Sequence, residues 1–339
     1  MITLNMFFLL KFIKKAIFIF IIFLVLIFFF SLGHIPKKEE LEYGVTFSQK
    51  QASDLGLDWK AVYSAMFDDL GAKKLRISAY WDLLEKEENA LYDWTDLDWQ
   101  INLAEEKEAE LILAIGGRLP RWPECHYPSW LQDATQEKRE KATLDYIEKT
   151  ILRYKDRSVI KAWQIENEPF LKYFGECPKF NSSFLDQEIA LVKSLDDRDI
   201  VITDSGELSL WVPAAKRADI FGTTMYRDTY SGKLKRYIHY PITPGFFRFK
   251  KNVTDLFASP KKWMVIEMQG EPWGPKHFQY LSAKERSKTM DLEKFKSMIE
   301  FSSQTGFQEF YLWGVEWWYW EKEKGDSAIW NEAKKLYKK

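Results

Sequence analysis

Cysteine is scarce in this chain: two in 339 residues, Cys125 and Cys177. That excludes a disulfide-dense miniature scaffold and a cysteine-rich metal module. Histidine is nearly as rare, and His34, His126, His239 and His277 show no ligand spacing, so neither a metal site nor a cofactor is expected. No G-x-G-x-x-G turn follows the first predicted strand, which removes the dinucleotide-binding reading. Charge of one sign is also missing. Lys and Arg number 49 against 50 Asp and Glu, the net charge is -1, and no basic block stands out beyond the N-terminus. A nucleic-acid partner is therefore not expected.

Aromatic residues are what the chain has in excess, at 17%, with 15 Trp and 16 Tyr. Core filling accounts for part of this. Their concentration after predicted strands also suits stacking on the C–H faces of sugar rings. The N-terminus differs from the rest: Lys11, Lys14 and Lys15 precede an apolar run of about 17 residues, from Ala16 to Leu32. With only a weak small-residue cleavage site at 31–33, residues 1–35 read as an uncleaved signal anchor rather than a cleaved signal. The lysines would stay cytoplasmic and the body would lie outside, held at the membrane by this segment. Secretion after cleavage is the alternative.

From residue 41 to 339 the pattern alternates short apolar runs with amphipathic stretches. Strands are predicted at 42–48, 73–80, 110–117, 159–168, 199–205, 219–226, 261–269 and 307–315. Helices are predicted at 58–72, 96–109, 135–155, 183–196, 210–218, 291–306 and 327–339, with a loop and a short helix inside 227–260. Strict alternation implies a parallel sheet, and eight repeats over this length imply a single (β/α)8 TIM barrel preceded by a membrane-spanning segment. No second domain is visible, and a monomer is expected.

Active sites of such barrels lie at the C-terminal ends of the strands. Read there, strand two offers Arg76, Tyr80 and Trp81, and strand four Asn167 and Glu168. Strand six offers Tyr226, strand seven Glu267 and strand eight Trp313. Two carboxylates face each other across the barrel mouth. Such a pair suits glycoside hydrolysis, one acid protonating the leaving oxygen while the other attacks the anomeric carbon. Glu168 is the candidate acid, kept protonated by burial and its partner's charge. Glu267 is the candidate nucleophile, its charge matched by Arg76 and the Tyr226 hydroxyl.

The run "WQIENEP" (163–169) resembles the strand-four signature of clan A retaining glycoside hydrolases, both the cellulase and mannanase family and the barrel β-galactosidases. "LRISAYWDLLEKEENALYDWTDLD", "WMVIEMQGEPW" and "YLWGVEWW" are similar to the same families' strand-two, strand-seven and strand-eight regions. The resemblance spans about residues 42–320. It implies that Asn167 binds the sugar 2-hydroxyl and that Trp313 stacks under the sugar in the cleaved subsite. Trp81, Gln269 and Trp317 join the candidate substrate contacts. The strand-seven motif departs from the family pattern in carrying Gln269 and a second acid, Glu271, the competing nucleophile.

Glu166 is expected to brace a neighbouring basic side chain rather than act as the acid. His126 is expected either to touch sugar or to face solvent. Trp317, Trp318 and Trp320 divide between outer subsites and packing, and Trp122 is equally open between the two. Cys125 and Cys177 each lie about nine residues past the ends of neighbouring strands, and a disulfide between the two loops is expected. The expected substrate is an oligo- or polysaccharide with a β-linkage. The alternatives are an envelope transglycosylase using the same residues and a non-catalytic carbohydrate-binding barrel.

Overall fold

The computed structural model describes residues 11–25 and 40–337. Eight parallel strands close into a barrel in the order one, eight, seven, six, five, four, three, two. They are Glu42–Thr46, Lys74–Ser78, Glu110–Ile115, Ile160–Ile165, Asp199–Asp204, Ile220–Met225, Lys262–Gln269 and Glu309–Trp313. Helices between successive strands cover the outside, which is the architecture the alternation predicts.

Alternate residues of each strand face in and out, and the two sets differ in chemistry. Outward residues such as Leu111, Leu113, Trp163 and Ile202 pack with the helices in the main core. Inward residues Ile112, Ala162, Val201, Ile220, Met264, Ile266 and Tyr311 form a separate apolar plug. Two residues further along strands four and five the inward positions become Gln164 and Thr203, both fully buried. The barrel interior thus turns polar toward the strand C-termini, where Arg76 and Glu267 also lie.

Strand four stops three residues before its predicted end. Glu166 and Glu168 take positive φ values of 56° and 43°, which a strand cannot accommodate. The ambiguous 227–260 region holds a hairpin, Asp228–Ser231 paired with Arg236–His239, ahead of the helix Pro244–Asp255. The hairpin was not expected. Nor was the helix Val315–Glu323, whose Trp317, Trp318 and Trp320 are all buried. Its apolar positions 315, 317, 318 and 320 are crowded together and broken by the buried Glu316, so no clear helical rhythm marks it.

The segment expected to cross a membrane, residues 1–35, is described only at 11–25, where it is helical; the remainder lies outside the described residues. Among the described residues no helix is long and apolar enough to cross a membrane. The expected disulfide joins Cys125 to Cys177, with Cα atoms 5.3 Å apart. It ties the loop after strand three to the loop after strand four.

Candidate active site

Arg76 organises the barrel mouth from below. Its side chain is wholly buried, and its guanidinium donates three hydrogen bonds of 2.7 Å: Nε to Gln164 Oε1, Nη1 to Glu267 Oε1 and Nη2 to Asn167 Oδ1. One planar fork therefore fixes strands two, four and seven relative to one another. Tyr226 completes the surroundings of Glu267 by donating its hydroxyl to Oε2 at 3.0 Å. Burial first, then the charge of Glu267, holds the Tyr226 phenol well above its usual range, so it remains a donor.

Glu168 has the opposite environment. Its backbone N–H donates to Thr203 Oγ1 at 2.8 Å, but its carboxyl accepts no hydrogen bond from any described residue. Burial chiefly, then the charges of Glu267, Glu124 and Asp204, push this carboxyl well above the ordinary range, with Arg118 opposing. One carboxylate is thus matched by a cation and a phenol, while the other is desolvated among acids. That divergence is what separates a nucleophile from a proton donor.

The backbone at this point is built, not incidental. Glu166 N–H donates to Ile115 O, Asn167 N–H to Arg118 O at 2.7 Å, and Glu168 N–H to Thr203. Three successive amides are held by strand three, its loop and strand five, which stabilises two left-handed residues within three. Glu166 accepts from the amides of Gly117 (2.8 Å) and Arg118 (2.6 Å). It was expected to brace a basic side chain; it instead braces backbone, because Gly116 leaves room for its carboxylate. A Cβ on Gly116 would stand 2.4 Å from Glu166 Oε1, and its φ of +119° is glycine territory.

Asn167 lies beside the pair, its Oδ1 taking Arg76. Its Nδ2 donates to Glu124 Oε2 at 3.1 Å. Glu124 is a third carboxyl at the site, pushed up to about 8, by burial before all else, with Arg118 opposing and Glu267 adding. Nothing in the sequence spacing marks Glu124. Its only signal is adjacency to Cys125, which anchors its loop over strand four.

Trp313 ends strand eight at the mouth, 5% exposed. Its indole N–H donates to Glu271 Oε1 at 2.8 Å, and the Arg121 guanidinium covers its ring at 4.0 Å. Arg121 also bridges Glu271 (2.5 Å) and Glu316 (2.6 Å). Glu271 is thereby engaged with Arg121 and Trp313, whereas Arg76 and Tyr226 converge on Glu267.

Three expected contacts are not brought to the site. Trp81 is buried in the core, stacked on Tyr146 at 4.7 Å with its N–H on Glu85, because it starts a helical turn that rotates it away from the mouth. Gln269 is spent on backbone, accepting from Arg227 and Asp228 amides and donating to Asp228 O. Trp317 packs against Phe278 and donates to Glu321. His126 does not face solvent: it is 1% exposed and bound to Arg121 O and Lys50. Among the described residues no group of acids, histidines and cysteines could hold a metal ion.

No family model and no curated protein sequence matches the chain. Solved structures do match its fold. A GH5_18 from Bifidobacterium longum subsp. infantis aligns at TM-score 0.53 and 16% identity, over 81% of this chain and 69% of that one. The β-galactosidase of the Antarctic haloarchaeon Halorubrum lacusprofundi aligns at 0.57 and 14%, over 80% and 52%. That of the psychrophilic Marinomonas ef1 aligns at 0.59 and 11%, over 88% and 59%. The chain therefore spans little more than half the length of these β-galactosidases. At such identities the likeness establishes the barrel fold.

Proposed function

We propose that this protein is a retaining glycoside hydrolase acting on β-linked glycosides, with Glu267 as nucleophile and Glu168 as general acid and then base. The observation that carries the reading is the unequal treatment of the two carboxyls: Arg76 and Tyr226 converge on Glu267, while the buried Glu168 carboxyl has no hydrogen-bond donor among the described residues. Solved structures sharing the fold, among them β-galactosidases and an exo-β-1,4-mannosidase, support the same substrate class.

In the first step Glu267 Oε attacks the anomeric carbon while Glu168 passes its proton to the departing glycosidic oxygen. The C–O bond breaks and a glycosyl ester forms on Glu267. Esterification removes the negative charge that helps hold the Glu168 proton, so the now-ionised Glu168 can accept one from water. Water attacks the same carbon, the ester breaks, and the sugar leaves with its original anomeric configuration. In this reading Asn167, next to Glu168 and tied to Arg76, meets the sugar beside the reacting carbon.

The Cys125–Cys177 disulfide supports a body outside the reducing cytoplasm. In this reading the segment 1–35 anchors it at the cell membrane. Trapping with a 2-fluoro glycosyl fluoride tests the mechanism. Peptide mapping is expected to find the sugar on Glu267, and a label on Glu271, or none in protein that binds glycans, would refute it.

A further inference from the structure

An aromatic strip leads out of the site. Tyr226, which donates to Glu267, meets Trp273 at a ring separation of 5.4 Å. Trp273 meets Phe174 at 5.8 Å, and Phe174 meets Trp122 at 6.0 Å. The four rings come from the loops after strands six, seven, four and three, so the strip crosses the barrel mouth instead of following one element. Its exposure rises outward: Tyr226 is buried, Trp273 and Phe174 are half-buried, and Trp122 is 61% exposed.

The loops bearing these rings are fastened by covalent and polar ties. Cys125–Cys177 joins the Trp122 loop to the Phe174 loop, and Glu176 N–H donates to Pro123 O at 2.9 Å. Arg118 Nη2 donates to the carbonyl of Phe174 itself at 3.0 Å. Thr289 clamps Trp273 at both its N–H (2.9 Å) and its C=O (2.8 Å). A rim that presents a fixed indole to solvent incurs the cost of exposed apolar area and gains no core packing from it. Contiguous with two half-buried rings and opening onto the cleft, it is the kind of apolar surface that ligand grooves use.

We propose that Trp122, Phe174 and Trp273 form an outer sugar-binding subsite, so that the substrate is a β-linked oligosaccharide extending from the catalytic pair onto this strip. The proposal rests on the glycosidase reading. Continuity selects the occupant: the strip begins at the tyrosine that touches Glu267, so whatever lies on it is contiguous with whatever occupies the cleft. Sugar rings present apolar C–H faces with polar edges, and Lys172 and Glu176, two residues to either side of Phe174 in the same loop, are exposed. The disulfide holds two of the three rings in register and is therefore part of this subsite.

The test is chain-length dependence. kcat/KM is measured for aryl β-monoglycosides and for β-1,4-linked gluco-, manno- and galacto-oligosaccharides of two to five units. For the series the wild-type enzyme prefers, kcat/KM is expected to rise at least tenfold with length. Trp122→Ala should remove most of that rise and Trp122→Phe should restore it. In parallel, tryptophan fluorescence of Glu168→Gln protein is titrated with the same oligosaccharides, with and without Trp122→Ala. Equal length dependence and equal binding in Trp122→Ala and its parent would overturn the subsite. Oligosaccharide binding that needs Trp122, with no glycoside turned over by the wild-type protein, would refute the hydrolase reading and uphold the subsite.

Discussion

Arg76 Nη1 reaches Glu267 Oε1 at 2.7 Å across the inside of the barrel, from strands that are not neighbours in the sheet. The same guanidinium holds Gln164 and Asn167, so it positions both the candidate nucleophile and the residue beside the candidate acid. Arg76→Lys keeps the charge but loses the fork. It is expected to lower kcat by about 100-fold or more and to reduce stability by about 3 kcal/mol, because the remaining carboxylate is buried and poorly paired. Thermal melts and kcat on an aryl glycoside check both. Near-wild-type turnover in a folded Arg76→Lys protein would remove Arg76 from the mechanism.

Tyr226 donates to the other oxygen of Glu267 and should matter for rate more than for fold. Tyr226→Phe removes one hydroxyl and is expected to cost about 10- to 100-fold in kcat, at the low end for a pre-organised donor at an active-site oxygen. Circular dichroism and Tm should change little. A rate loss below threefold would mean that Arg76 alone is sufficient.

The two carboxyls predict a pH signature. Burial and the charge of Glu267 raise the affinity of Glu168 for its proton, so the acid form persists as pH rises and activity falls only when that proton is lost. The alkaline limb of kcat/KM therefore belongs to Glu168. In Glu168→Ala, assayed with a leaving group that needs no protonation, this limb should disappear. Glu267→Gln removes the charge beside Glu168, so its titration, followed by carboxyl infrared bands, should move to lower pH. An unmoved titration would show that the two groups are not coupled.

The candidate pair is legible because a parallel barrel strand is a nearly continuous apolar run, and a carboxylate at its end is conspicuous. "WQIENEP" and "VIEMQ" announce themselves in that way. What was not readable is rotation and loop reach. Trp81 stands at a strand end by sequence, yet a four-residue helical turn turns it into the core. Gln269 has the right position but answers to the backbone of the hairpin that precedes its own strand. Glu124 arrives at Asn167 only because a loop fastened to Cys177 carries it there, and no local periodicity encodes that.

Glu124 makes a separate prediction about stability. Its carboxyl is pushed up to about 8 in the fold, chiefly by burial, above the ordinary value of 4.5. Between those values the folded protein holds a proton that the unfolded chain has released. The stabilising contribution is complete below the unfolded value and is lost as pH rises, levelling above about 8. Glu124→Gln should flatten this part of the decline in urea unfolding free energy between pH 5 and 8. An unchanged slope would place the titration elsewhere, for example on Glu188, another buried acid with a raised carboxyl.

Cys125 and Cys177 are 52 residues apart, and closing that loop contributes about 4 kcal/mol in the chain-entropy model. Thiol counting on unfolded, unreduced protein should find no free thiol; two would contradict the bond. The Cys125→Ser/Cys177→Ser double variant should unfold at lower urea. Because the bond also holds the loop that carries Glu124 beside Asn167, its loss should reduce kcat as well as stability. If stability fell while kcat and its pH profile were untouched, the disulfide would be a brace for the rim alone, and Asn167 would keep its place through Arg76 without help from Glu124.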